Sequence, residues 1–212
     1  MCSGPRSSGR PSIRDVIEAL GFAPAANPFR FSKEVNKNLT VELDFLSEEE
    51  ALKAIPPGFV RVQEDLSAVI IPGSSVALRS NFEEVAGTLP DGSELSSRVR
   101  VADLLAMTAL KGHALGRPRK LEKDCYDLYA ICGFTNGDPK SAAQFSSNFG
   151  SGRISPKDRR FVSEALERIG TYFRTQNSRG PVGVSRFYGM SPTRQTDSYQ
   201  RVGAFLRSVQ PK

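Results

Sequence analysis

The residues best suited to chemistry fall in one stretch, from Leu104 to Tyr129. Lys111 comes near the end of one expected helix and Arg117 at a bend. Lys123, Asp124 and Asp127 open the next helix. On that helix, positions 124 and 127 are neighbours on one face, and positions 123 and 127 lie one turn apart. Lysine and arginine beside paired acids can grip a triphosphate together with its metal ion. The same residues would serve equally as salt-bridged surface helices, with Lys123 paired to Asp127. A second acidic position lies upstream. Residues 40–46 alternate, with Val41, Leu43 and Phe45 on one side of a strand and Glu42 and Asp44 on the other.

The elements around these residues follow from spacing and punctuation. Ser12 caps a short helix whose apolar positions are Ile13, Val16, Ile17 and Leu20, and Gly21 stops it. A strand-rich stretch follows. After the alternating strand come Arg61-Val62, Ala68 to Ile71 and a further strand at Ser75 to Leu78. Val99 to Val101 is ambiguous, and Pro90 to Ser93 is a turn. From about Ala102 the pattern turns helical, with one helix ending near Gly116 and a second running from Leu121 to Cys132. Residues 134–154 read as a polar loop. Ser155-Pro156 with Asp158 starts another helix. After a Gly/Pro-rich stretch from Arg179 to Met190, Tyr199, Val202, Phe205, Leu206 and Val209 mark a last amphipathic helix. The expected fold class is α+β, with a small sheet domain over 1–101 and a helical domain over 102–212.

Composition narrows the function classes. No stretch approaches the length needed to cross a bilayer, and the polar start from Met1 to Pro11 lacks an apolar signal region. A soluble cytoplasmic protein with no membrane partner is expected. Of the three cysteines, Cys125 and Cys132 fall seven residues apart on one helix, roughly 10 Å along it and too far for a disulfide. His113 is the only histidine, so no Cys/His zinc site is expected, and it reads as a satisfied helical residue. Charge is uneven. Residues 1–100 hold 11 Lys/Arg against 14 Asp/Glu, and residues 101–212 hold 18 against 9. A basic C-terminal half is compatible both with phosphate-rich partners and with a solvated arginine-rich surface. Its aromatics, Phe161, Tyr172, Phe173, Phe187 and Tyr188, are spaced mostly as core residues.

The pattern Lys111, Arg117, Lys123-Asp124, Asp127-Leu128 resembles the third motif of AbiEii/MenT-type nucleotidyltransferase toxins, within the DNA-polymerase-β-like superfamily. Residues 41–46 are similar to that family's second motif, a strand bearing the third catalytic carboxylate, and Ile13 to Phe22 to the helix and turn before it. The likeness spans roughly residues 13–132. It implies a partial nucleotidyltransferase-like mixed sheet with flanking helices, followed by a helical C-terminal region. It also implies Mg-dependent transfer of nucleotide from a nucleoside triphosphate to an acceptor such as tRNA, and neutralisation by a cognate antitoxin. Carried over by position, Asp44, Lys111 and Asp127 would be catalytic. Arg117, Lys123 and Asp124 would bind substrate, and Asp44 with Glu42 would hold metal. The family's first motif, a Gly-Ser turn and Asp-x-Asp, has no counterpart before Ile13. The expected enzyme is therefore incomplete as it stands. The alternative is a non-catalytic nucleic-acid-binding or antitoxin-binding remnant of that fold.

Overall fold

The computed structural model describes residues 12–48, 54–55, 58–63, 66–89, 91–117, 120–133, 139–152 and 154–209. The fold is α+β. The chain divides into two compact units, Met1–Ser74 and Ser75–Lys212, where the sequence placed a boundary between 101 and 102.

The first unit opens with α1 (Ile13–Ala19), whose start is a capping box: Ser12 Oγ accepts from the Asp15 amide at 3.0 Å and Asp15 Oδ2 accepts from the Ser12 amide at 3.0 Å. Strands β1 (Ala23–Pro24), β2 (Arg30–Asn36) and β3 (Leu39–Asp44) form an antiparallel sheet in that order. A second sheet runs β4-β7-β6-β5, from β4 (Leu46–Ser47), β5 (Ala54–Ile55), β6 (Phe59–Gln63) and β7 (Leu66–Ile70). In it β4 is parallel to β7 and the other pairs are antiparallel.

Phe45 joins the two sheets. Its amide donates to Phe29 O at 2.9 Å, and its carbonyl accepts from the Val69 amide at 2.8 Å. One extended run, 39–47, therefore leaves its β2 partner and takes up β7. The small core is Ile17, Phe31 and Leu66, with Phe22 and Phe45 against it. The apolar face expected from alternation is covered only at Phe45, since Val41 and Leu43 stay exposed.

The second unit begins with α2 (Ser74–Leu78), where a strand was expected. Four alternating residues cannot separate the two periods. Here Val76 is buried in the helical core and Ser75 Oγ donates to Asp158 Oδ1 at 2.7 Å, which fixes a helical turn. A two-stranded hairpin follows, β8 (Phe82–Thr88) and β9 (Glu94–Arg100), exposed along both strands. Of the expected turn, Asp91 to Ser93 bends as read, while Pro90 lies outside the described residues.

Among the described residues, six helices complete the unit: α3 (Leu104–Ala114), α4 (Leu121–Gly133), α5 (Pro139–Gly150), α6 (Pro156–Tyr172), α7 (Arg179–Phe187) and α8 (Pro192–Val209). Two of them correct the sequence reading. Within the expected loop 134–154, α5 forms because Ala142 and Phe145 recur at helical spacing and are buried, which outweighs the weak propensity of its serines and asparagine. Residues 134–138 and 153 of that loop lie outside the described residues. The Gly/Pro stretch becomes α7 because Pro181 sits in the first turn, where no amide bond is lost. Its glycines are close-approach positions. A Cβ on Gly183 would meet Cys125 Sγ at 3.0 Å, and one on Gly180 would meet the Phe173 ring at 2.6 Å.

The helical core centres on Leu128, Phe145, Val162, Ile169, Val184 and Val202, each 1% exposed or less. Each such side chain contributes about 1.5–3 kcal/mol by leaving water. Gly112 sets the approach of α3 to α6: a Cβ there would lie 2.8 Å from Ala165 Cβ and 2.9 Å from Ala165 O. Helix propensity alone favours alanine at 112 by about 1 kcal/mol. Overpacking against backbone should reverse the sign, so Gly112→Ala is expected to lower stability by about 1–3 kcal/mol in urea unfolding.

Candidate functional site

Lys111 lies in the last turn of α3, and its ammonium reaches across to α4. Nζ is 2.9 Å from Asp124 Oδ1 and 2.5 Å from Asp127 Oδ2. Lys123 also reaches Asp127 Oδ2, at 2.9 Å. A lysine at a helix C-terminus and an aspartate in a helix first turn each face the favourable end of a helix dipole. Asp124 is 3% exposed, and its Oδ2 accepts no hydrogen bond among the described residues. Lys111 is the cation that makes this burial tolerable.

Burial opposes charge on both Lys111 and Asp127, and the hydrogen bonds outweigh it. Lys111 is held above its ordinary 10.5 by Asp127 and Asp124, and Asp127 below its ordinary 3.8 by Lys111 and Lys123. Four of the five residues predicted here are thus brought together, and Lys123 pairs with Asp127 as its spacing required. Arg117 is exposed in the turn between α3 and α4.

Glu42 and Asp44 belong to the first unit and are bound to one guanidinium. Arg30 faces Asp44 directly across the β2–β3 ladder. Its Nε and Nη2 donate to the two Asp44 oxygens at 2.6 and 2.7 Å, and its Nη1 lies 2.8 Å from Glu42 Oε2. These bonds to Asp44 hold the Arg30 pKa further above its already high ordinary value. Two carboxylates tied to one arginine do not fit a two-magnesium centre. Among the described residues, no three His, Cys, Asp or Glu side chains gather where a metal ion could sit.

Sequence reasoning missed Arg30: counting the ladder back from the turn at 37–38 puts Phe31 opposite Asp44, and only the irregularity between Glu34 and Asn36 shifts the register by one and brings Arg30 there. It also missed a cleft between the start of α4 and α7, of about 780 Å3. Its walls include Lys120, Lys123, Arg179, Arg186 and Phe187. Arg179, Val182, Gly183, Arg186 and Phe187 follow the i, i+3, i+4, i+7, i+8 spacing of one helix face, a signal masked by the glycines and proline of that stretch. Lys120, Arg179 and Arg186 are exposed and make no ion pair among the described residues. Glu122 is the single carboxylate among the described residues of the wall. Such a concave surface attracts anions, because each cation keeps donors unspent on the protein itself.

The remaining candidates for chemistry are structural. His113 Nε2 lies 2.8 Å from Phe161 O, and its ring stacks on Phe161. Cys125 and Cys132 are free and buried, and burial pushes the Cys125 thiol up to about 12, so neither is poised as a thiolate. No described helix is long and apolar enough to cross a membrane. No family model, curated protein or solved structure matches the chain.

The junction has a pH signature. Asp127 has a depressed folded pKa, so its contribution is fully present above the ordinary carboxylate value and is lost as pH falls through the lower folded value. Lys111 is raised, so its contribution is present below 10.5 and is lost as pH rises through the higher folded value. Urea midpoints should therefore hold level from about pH 5 to pH 9 and fall on both sides. In Asp127→Asn the acid limb should be shallower, and an unchanged limb would remove Asp127 from the account. Lys111→Ala, which leaves the buried Asp124 without its cation, should cost about 3 kcal/mol at neutral pH.

Proposed function

We propose that this protein binds nucleic acid through its phosphates, at the cationic cleft between α4 and α7. The observation that carries the reading is the cleft itself. Lys120, Lys123, Arg179 and Arg186 line about 780 Å3 of open space, with Glu122 as the one carboxylate among the described lining residues. The excess of basic residues in 101–212 supports it, because part of that charge is concentrated on one concave surface instead of being spread over solvated helices. The Lys111 junction supports the cleft from behind. By holding Asp127, Lys111 shares the acid that would otherwise engage Lys123 alone, and the Lys123 side chain stays 60% exposed.

The second reading is a nucleotidyltransferase-like protein related to toxin components of toxin-antitoxin systems. It is favoured by the meeting of Lys111, Lys123, Asp124 and Asp127, the residues on which the resemblance rests. In that reading a nucleoside triphosphate is the first ligand, tRNA the acceptor and an antitoxin the partner. The Arg30 clamp on Glu42 and Asp44 weighs against a metal-dependent step at those carboxylates.

Fluorescence anisotropy with labelled oligonucleotides over a salt series separates the two. Binding should weaken steeply with salt, with a log–log slope that falls by about 1–2 in the double variant Arg179→Ala/Arg186→Ala. Salt-insensitive binding, or none at low salt, would overturn the first reading. Incubation with magnesium, labelled nucleoside triphosphates and tRNA tests the second. Label transfer that disappears in a folded Lys111→Ala variant would establish it, and no transfer would dismiss it.

A further inference from the structure

The cleft has an aromatic wall as well as cationic ones. Phe187 lines it and is 44% exposed, unusual for a phenylalanine on a well-packed helix. One face of its ring is covered by Tyr126, with centroids 4.2 Å apart and planes 12° from parallel. Tyr188 packs edge-on against both rings, at 5.7 Å from each. The Phe187 ring is therefore held in place by two neighbours and still has free surface toward the cleft. Tyr188 is itself in contact with the Arg194 guanidinium, 4.9 Å from its centroid, which adds a third neighbour to the aromatic group.

We propose that the ligand of this cleft is single-stranded nucleic acid, one base of which stacks on Phe187 while Arg179 and Arg186 hold the flanking phosphates. The inference rests on the cleft reading above and names its substrate class. Three physical points favour a single strand. A base inside a duplex is already stacked and paired, and its faces cannot reach a ring inside a cleft, whereas an unpaired base offers a free face. Any base can stack, so one fixed aromatic ring beside cations gives sequence-tolerant binding. Arg179 and Arg186 lie seven residues apart on one helix face, which is about 10 Å along the axis. At about 3.4 Å of rise per charge in one stacked strand, that separation spans about three phosphates. A ring already fixed by Tyr126 and Tyr188 loses little freedom when a base arrives.

The test uses the full chain with four probes: short oligoadenylate RNA, the same sequence as DNA, the RNA annealed to its complement, and inorganic polyphosphate. Phe187→Ala should weaken both single strands by about five- to a hundredfold, the range for one lost base stack, with the salt slope unchanged. Phe187→Leu keeps the apolar volume without the π-face. It should remain folded by circular dichroism and lose most of the same affinity. Duplex and polyphosphate should bind more weakly than single strands and ignore both Phe187 substitutions. RNA binding equal to DNA binding points to phosphate and base as the recognised groups, and a preference for RNA adds the 2′-hydroxyl. A folded Phe187→Leu protein with full single-strand affinity would overturn the stacking proposal while leaving the phosphate cleft in place. So would duplex binding as tight as that of its single strand. No binding to any probe at low salt would overturn the cleft reading and this proposal together.

Discussion

The helical unit depends on one buried charge. Asp124 faces the core side of α4, where an isolated carboxylate would be prohibitively costly. Among the described residues, Lys111, arriving from the last turn of α3, is the cation that offsets that cost, and it is shared with Asp127 one turn further along. The shared ammonium fixes both the rotation of α4 about its own axis and its height against α3. With α4 so set, Leu128 and Cys125 point into the core, and Tyr129 meets Asp197 and Arg194 of α8. Lys123 is then left on the wall of the cleft, and Tyr126 stacks on Phe187, which lines it. Replacing such a pair by apolar residues can raise stability, so its use here is better explained by positional precision than by strength.

Gly183 is the second half of that arrangement. The α4–α7 contact is close enough that Cys125 Sγ would lie 3.0 Å from any Cβ at 183. A small residue is required at the crossing, and the residues that flank it on the same face, Arg179 and Arg186, are then carried to the rim on either side. The cleft thus lies beside a packing constraint: the two helices touch at a glycine, whose Cβ would lie 3.0 Å from Cys125 Sγ and 3.8 Å from Glu122 Cα, and the cleft lined by both helices carries cations on its walls.

Much of the framework was legible in the sequence, and the losses have definite causes. The Ser12 and Ser155 caps and the limits of α3 and α4 were readable because capping chemistry and glycine stops are local. The Lys123–Asp127 pair was readable because helical spacing is local too. Helix α5 was hidden because serine and asparagine carry loop propensity, while the stabilising partner of Phe145 is Phe205, sixty residues away in sequence. Helix α7 was hidden because its glycines and proline look like chain breakers unless the neighbours they must accommodate are known. Arg30 was invisible as a partner of Asp44 until the β2–β3 register was fixed. In each case the deciding interaction is long-range, and single-sequence periodicity does not record it.

The same distinction bears on function. The resemblance to nucleotidyltransferase toxins rests on residues that the fold does assemble, but assembly of a lysine between two aspartates is also what a buried structural junction requires. What separates the two is where positive charge remains uncommitted. Lys111 is spent on Asp124 and Asp127, and Arg30 on Asp44 and Glu42. Lys120, Arg179 and Arg186 are not spent on any ion pair among the described residues, and they lie beside a ring whose free surface faces the same space. A charge already matched within the protein must break that match before it can hold a ligand, whereas an unmatched one gives up only water and screening ions. On the proposed reading, affinity for a polyanion therefore resides in the α4–α7 cleft, and the Lys111 junction acts on it by setting the position of α4.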